Sequence, residues 1–83
     1  MENQLFKKIM GAWLGGELLE EKDISIFRNK REYELYSTCR AVQLCRLEIE
    51  EYQKLGSGYG AHLMYQRNIL SELESKFEEL LLR

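Results

Sequence analysis

Two stretches of this sequence repeat the same step. Leu35, Thr38, Val42, Cys45, Ile49 and Tyr52 are spaced 3, 4, 3, 4, 3, and so are Leu63, Gln66, Leu70, Leu73, Phe77 and Leu80. A step averaging about 3.5 residues holds a stripe on one side of an α-helix. A strand, whose side chains alternate between faces at every residue, does not produce it. Between the stripes lies Gly56-Ser57-Gly58-Tyr59-Gly60. Gly56 suits the left-handed residue just past a helix end, and its neighbours permit a tight reversal. Folding the chain about Gly58 brings Tyr52 to Leu63, Cys45 to Leu70, Val42 to Leu73, Thr38 to Phe77 and Leu35 to Leu80. The result is a long antiparallel helical hairpin, Lys30–Leu55 against Tyr59–Leu82, with Leu70 and Leu73 in its core. No proline interrupts either segment, as helices of this length require.

The N-terminal part supplies a third helix. Leu5, Phe6, Ile9, Met10, Trp13 and Leu14 recur in i,i+4 pairs and make one broad apolar face. The spacing predicts a helix over about residues 2–22 that loosens beyond residue 14, with a weak point near Gly15, since Gly11, Gly15 and Gly16 each disfavour helix by about 1 kcal/mol relative to alanine. Residues 24–36 admit two readings. Ile24, Ile26, Tyr33 and Leu35 alternate with polar residues around Asn29-Lys30, which would suit a short β-hairpin. A two-stranded ribbon on its own is only marginally stable, so a loop followed by a helix from Lys30 is preferred. The fold class expected is all-α, a small three-helix bundle built on the hairpin. A chain of 83 residues buries enough surface for one small core, so residues 1–83 read as a single helical domain.

The residue inventory argues against chemistry. There are one histidine, one aspartate and two cysteines, so most catalytic constellations cannot be assembled. The chain reads as a non-enzyme with no cofactor and no metal site. Ser57 sits among glycines, but a helix precedes it and the Lys-Ser/Thr of a phosphate loop is missing. Cys39, Cys45 and His62 lack the close spacing of zinc ligands. The two cysteines stand on different faces of one helix, about 9 Å apart along its axis, so they cannot form a disulfide. Cys45 lies on the seam and reads as a buried thiol. Cys39 flanks the seam and is expected to be reachable where no partner covers it. The apolar run Ile9–Leu19 is broken by Glu17 and falls short of the roughly 20 residues that span a bilayer. Cytoplasmic residence is the expectation.

The middle helix carries apolar residues on a second side. Ala41, Leu44, Leu47 and Leu55 lie away from the hairpin seam, with Tyr33 and Tyr36 on the same side. A helix apolar on two sides is covered on two sides. The second cover is the N-terminal helix, a second copy of the chain or a different protein. Helix 1 is short and glycine-weakened, so Tyr33, Tyr36, Leu44 and Leu47 are expected to bind a protein partner, most simply a second copy in a homodimer; the alternative is that helix 1 wraps further and the patch is ordinary core. This points to a small regulatory or inhibitory protein that acts through a helical surface, and bacterial and phage accessory proteins share this size and simplicity. Two alternatives remain. Arg28, Lys30 and Arg31, with the nearby tyrosines, would suit a small nucleic-acid binder, although the chain carries a formal charge of −2. The acidic runs at 17–23, 48–51 and 72–79 could instead mimic nucleic-acid phosphates and occupy a basic groove on a partner. Most of those glutamates fall on solvent-facing positions.

Overall fold

The computed structural model describes residues 3–82. Helix α1 spans Asn3–Trp13, α2 spans Lys30–Leu55 and α3 spans Gly60–Leu82, with short 3-10 turns at Ile24–Ile26 and Ser57–Tyr59. The expected start of the first helix at residue 2 lies outside the described residues. No strand occurs among the described residues. The fold is all-α, a three-helix bundle on an antiparallel hairpin of α2 and α3, and the alternative β-hairpin over 24–36 does not form. The 26 residues of α2 rise about 39 Å and account for most of the 44 Å long axis.

Local chemistry sets the boundaries of α2. Asn29 Oδ1 accepts the N–H of Glu32 at 2.9 Å, and Glu32 Oε1 accepts the N–H of Arg28 at 2.9 Å. This reciprocal capping arrangement satisfies donors that the first turn leaves unpaired. At the other end Gly56 adopts φ +101°, a conformation that favours glycine. The chain then makes one 3-10 turn and enters α3 at Gly60, one residue after the expected start.

The end of α1 departs from expectation. Gly15 has φ +104°; its N–H donates to the Ala12 carbonyl at 3.1 Å, and the Gly16 N–H donates to the Gly11 carbonyl at 2.8 Å. These two bonds form a Schellman motif, which satisfies the last carbonyls and turns the chain away from the helix axis. A Cβ on Gly16 would stand 2.7 Å from the Gly11 carbonyl oxygen, so the close turn requires glycine there. The helical continuation expected as far as Lys22 is absent. Gly15 does not weaken a longer helix; it ends a short one.

The core lies where α1 crosses the hairpin. Ile9, Leu35, Cys39, Val42 and Phe77 have the largest fully buried side chains, and the Trp13 ring stacks on Phe77 with centroids 4.1 Å apart. Towards the Gly56 turn the hairpin is two helices thick. Cys45 and Ile49 are buried there, but Leu63, Leu70 and Leu73 are only half-buried. The expectation that the seam is core at Leu70 and Leu73 is corrected, since both are only half-buried: α1 stops at Trp13, which meets α3 at Phe77, a turn or more beyond Leu73. Phe77→Ala is therefore expected to cost about 3–5 kcal/mol, a large part of the stability of so small a domain. Leu70→Ala is expected to cost less than about 2 kcal/mol. Urea unfolding of the two variants checks the order, and equal losses would contradict this distribution of burial.

Candidate interaction surface

Beyond Gly16 the chain crosses back over α2 as an extended strap, residues 17–23, with no backbone hydrogen-bond ladder of its own. Buried peptide groups nevertheless require partners, and side chains of α2 supply them. Gln43 is buried. Its Oε1 accepts the Leu19 N–H at 2.8 Å, while its Nε2 donates to the carbonyls of Glu17 at 2.9 Å and Ala12 at 3.3 Å. Arg40 Nε donates to the Leu19 carbonyl at 3.1 Å, and the Tyr36 hydroxyl donates to the Glu20 carbonyl at 2.6 Å. These three residues, at steps of 4 and 3, form one stripe along α2. Between the anchors the Leu19 side chain enters the core.

Arginines do the same for the helix ends. Arg46 Nη1 donates to the carbonyl of Trp13, the last residue of α1, at 3.2 Å; its guanidinium lies 5.2 Å from the centre of the Trp13 ring, and its Nη2 pairs with Glu74 at 2.9 Å. Arg31 donates from Nε and Nη2 to the Leu80 carbonyl, both at 3.1 Å. A cation at a helix C-terminus satisfies carbonyls left unpaired by the helix and opposes its negative dipole end.

This arrangement redistributes the residues singled out from the sequence. Tyr36 is not on the open face: its ring lies 5.2 Å from Phe27 and its hydroxyl is bonded to the strap. Burial pushes that hydroxyl's pKa up, which keeps it a donor. Tyr33 is half-buried, edge-on to Phe27 at 5.6 Å. Leu44 and Leu47 are 40% and 48% exposed. Leu47 lines a groove of about 230 Å³ together with Leu18, Ala12, Gly15, Gly16 and Gln43. Leu18 is 44% exposed and Leu14, at the turn, 80%. The basic cluster is dispersed, since Arg31 turns onto the end of α3 and the Lys30 ammonium lies 3.8 Å from Glu34. Glu48, Glu50 and Glu51 are exposed. His62 packs its ring 4.1 Å from that of Tyr52 and places Nε2 3.6 Å from Glu48 Oε1, so it faces α2 as well as the turn.

Both cysteines are free and buried. For Cys39 this corrects the expectation of a reachable thiol. It is fully enclosed, and its Sγ donates to the Ile9 carbonyl at 3.6 Å. Burial pushes its pKa up to about 11. Cys45 Sγ lies 3.4 Å from both the backbone oxygen and the Oε1 of Gln66. This places Cys45 beside Gln66, which folding about Gly58 sets near Ile49.

Among the described residues no helix is long and apolar enough to cross a membrane. Comparison with protein-family models, with curated proteins and with solved structures finds no significant match. Sequence reading missed Gln43 as an anchor, together with Arg40, Arg46 and Leu18. The available signal was the third stripe of α2, Tyr36, Arg40, Gln43 and Leu47 at steps of 4, 3, 4, in which polar residues with long reach replace apolar ones.

Gln43→Ala leaves the buried Leu19 N–H unpaired and is expected to cost about 1–3 kcal/mol, with the bonds of residues 17–23 becoming readily cut by protease. Exposed Glu50→Ala should change stability by less than about 0.5 kcal/mol. Unfolding and limited proteolysis measure both, and an unaltered Gln43 variant would contradict the anchoring. For Cys39, the folded chain binds the thiol proton more tightly than the unfolded chain does. Its contribution is therefore full below the ordinary thiol pKa near 9.0 and is lost as pH rises towards about 11. Cys39→Ala is expected to reduce this loss, and a folded-state Cys39 that already titrates at pH 9 would contradict its enclosure.

Proposed function

We propose that this chain is a small non-enzymatic regulatory or inhibitory protein of the cytoplasm, which acts by docking a helical surface onto a protein and which associates with itself. The observation that carries the reading is the apolar face left open on α2. Leu44 and Leu47 are 40% and 48% exposed, and Leu18 and Leu14 of the neighbouring strap and turn are 44% and 80% exposed. Leu47 and Leu18 line one groove, together with Arg46 and Glu50, and exposed apolar surface of this kind marks interaction sites. The face is also held firmly. The Ala12 carbonyl in its wall is bonded to Gln43, so little conformational freedom is lost when a partner docks.

The nucleic-acid reading receives less support. Arg31 is committed to α3 and Tyr36 to the strap, which leaves a small cationic footprint on an acidic chain. The test is the double substitution Leu44→Glu with Leu47→Glu. Because both side chains reach solvent, the variant is expected to keep the circular dichroism and melting behaviour of the native chain. It should lose self-association on sizing and any protein that the native chain retains from lysate. A variant that keeps every association of the native chain would overturn the reading. So would one that unfolds, since that would return both leucines to the core.

A further inference from the structure

The open face of α2 carries charge as well as leucine. Arg40, Leu44, Leu47 and Glu51 step by 4, 3 and 4 and fall within about 60° of one another around the helix, at 3.6 residues per turn. From one end to the other the stripe reads cation, leucine, leucine, anion. Arg40 is held in place through Nε by the Leu19 carbonyl at 3.1 Å, and its terminal nitrogens form no ion pair among the described residues. Glu51 is exposed and likewise forms none.

Such a stripe is complementary to its own reverse. We infer that the protein docked on this face is a second copy of the chain, with its α2 antiparallel to the first, so that Arg40 of each copy meets Glu51 of the other and Leu44 meets Leu47. This inference rests on the reading of the face as a docking surface. The two-fold axis passes midway between Leu44 and Leu47, and the interface is isologous, as in most homodimers. The two ion pairs flank the leucines and are separated by about 16 Å along the helix. A parallel arrangement is disfavoured, because it sets Arg40 against Arg40 and Glu51 against Glu51. A uniformly basic or acidic partner could satisfy one end of the stripe only.

Sedimentation equilibrium of the full chain tests the register. The native chain is expected to form a dimer that weakens as salt is raised. Glu51→Arg, an exposed substitution away from the strap anchors, should stay folded and dimerise on the order of tenfold to a hundredfold more weakly, because both ends now oppose like charges. Arg40→Glu alone should dimerise just as weakly. An equimolar mixture of the two variants should recover native-strength association, since both ends of the mixed dimer again pair arginine with glutamate. Arg40 also holds the strap, so circular dichroism accompanies its variant, and if that variant does not fold, Glu51→Arg decides the question. A native dimer unaffected by Glu51→Arg would overturn the register. A native chain that stays monomeric at high concentration overturns the dimer: if it still binds another protein through Leu44 and Leu47 the docking surface stands, and if it binds none that reading fails as well.

Discussion

The amide of Gln43 holds together the part of this fold that has no secondary structure. It accepts the Leu19 N–H and donates to two carbonyls, those of Glu17 and Ala12. Without it, a strap that buries Leu19 beside Ile9 and Cys39 would carry unpaired peptide groups into the core, at a cost of the same order as the apolar burial it achieves. With it, a segment of extended chain completes the bundle where a fourth helix would otherwise be needed. Arg40, Tyr36 and Arg46 extend the same principle along α2, and each donates to a backbone carbonyl of the N-terminal third of the chain. One helix therefore organises the molecule twice, through an apolar seam that meets α3 and through a polar stripe that binds backbone.

The hairpin was legible because its determinants are local. The 3.5-residue period, Asn29 at the helix start and Gly56 past its end each act within a turn or two, and both long helices begin within one residue of where these signals put them. The strap was not legible, because its partners lie 16 to 26 residues away in the chain and no periodicity records them. Glu17-Leu18-Leu19-Glu20-Glu21-Lys22 has the composition of a helix, yet the Gly15–Gly16 turn sends it across α2, and side chains there take up its peptide groups. Two residues were misplaced. Tyr36 looked like an outward apolar residue because the strap that bonds its hydroxyl was read as helix, and Cys39 looked like a flanking thiol although α1 meets it at Ile9.

That coverage also delimits the candidate site. The strap reaches α2 at Tyr36, Arg40 and Gln43, and the chain then turns through Gly16 and Gly15 into α1. Leu47, the next member of the stripe, is left half in solvent beside the turn. The sequence marked Leu44 and Leu47 as unaccounted for by the seam, and they are the two most open of its four proposed contact residues, Tyr33 being half-buried and Tyr36 buried. What periodicity could not supply was the outline of the face, which depends on where the strap stops. The proposed docking surface is thus what remains of the second apolar side of α2 once its polar neighbours have bound the strap.

Side chains of α2, rather than helix formation, hold the N-terminal crossing in place, and amide hydrogen exchange of the native chain reads this out at Leu19. Leu19 lies outside every helix, yet its N–H is bonded to a buried glutamine. It should therefore exchange as slowly as the core amides of α2, through opening of the whole domain. Leu18 and Glu20, exposed on either side, should exchange orders of magnitude faster. A Leu19 amide that exchanges at the rate of its two neighbours would show that the strap is not anchored.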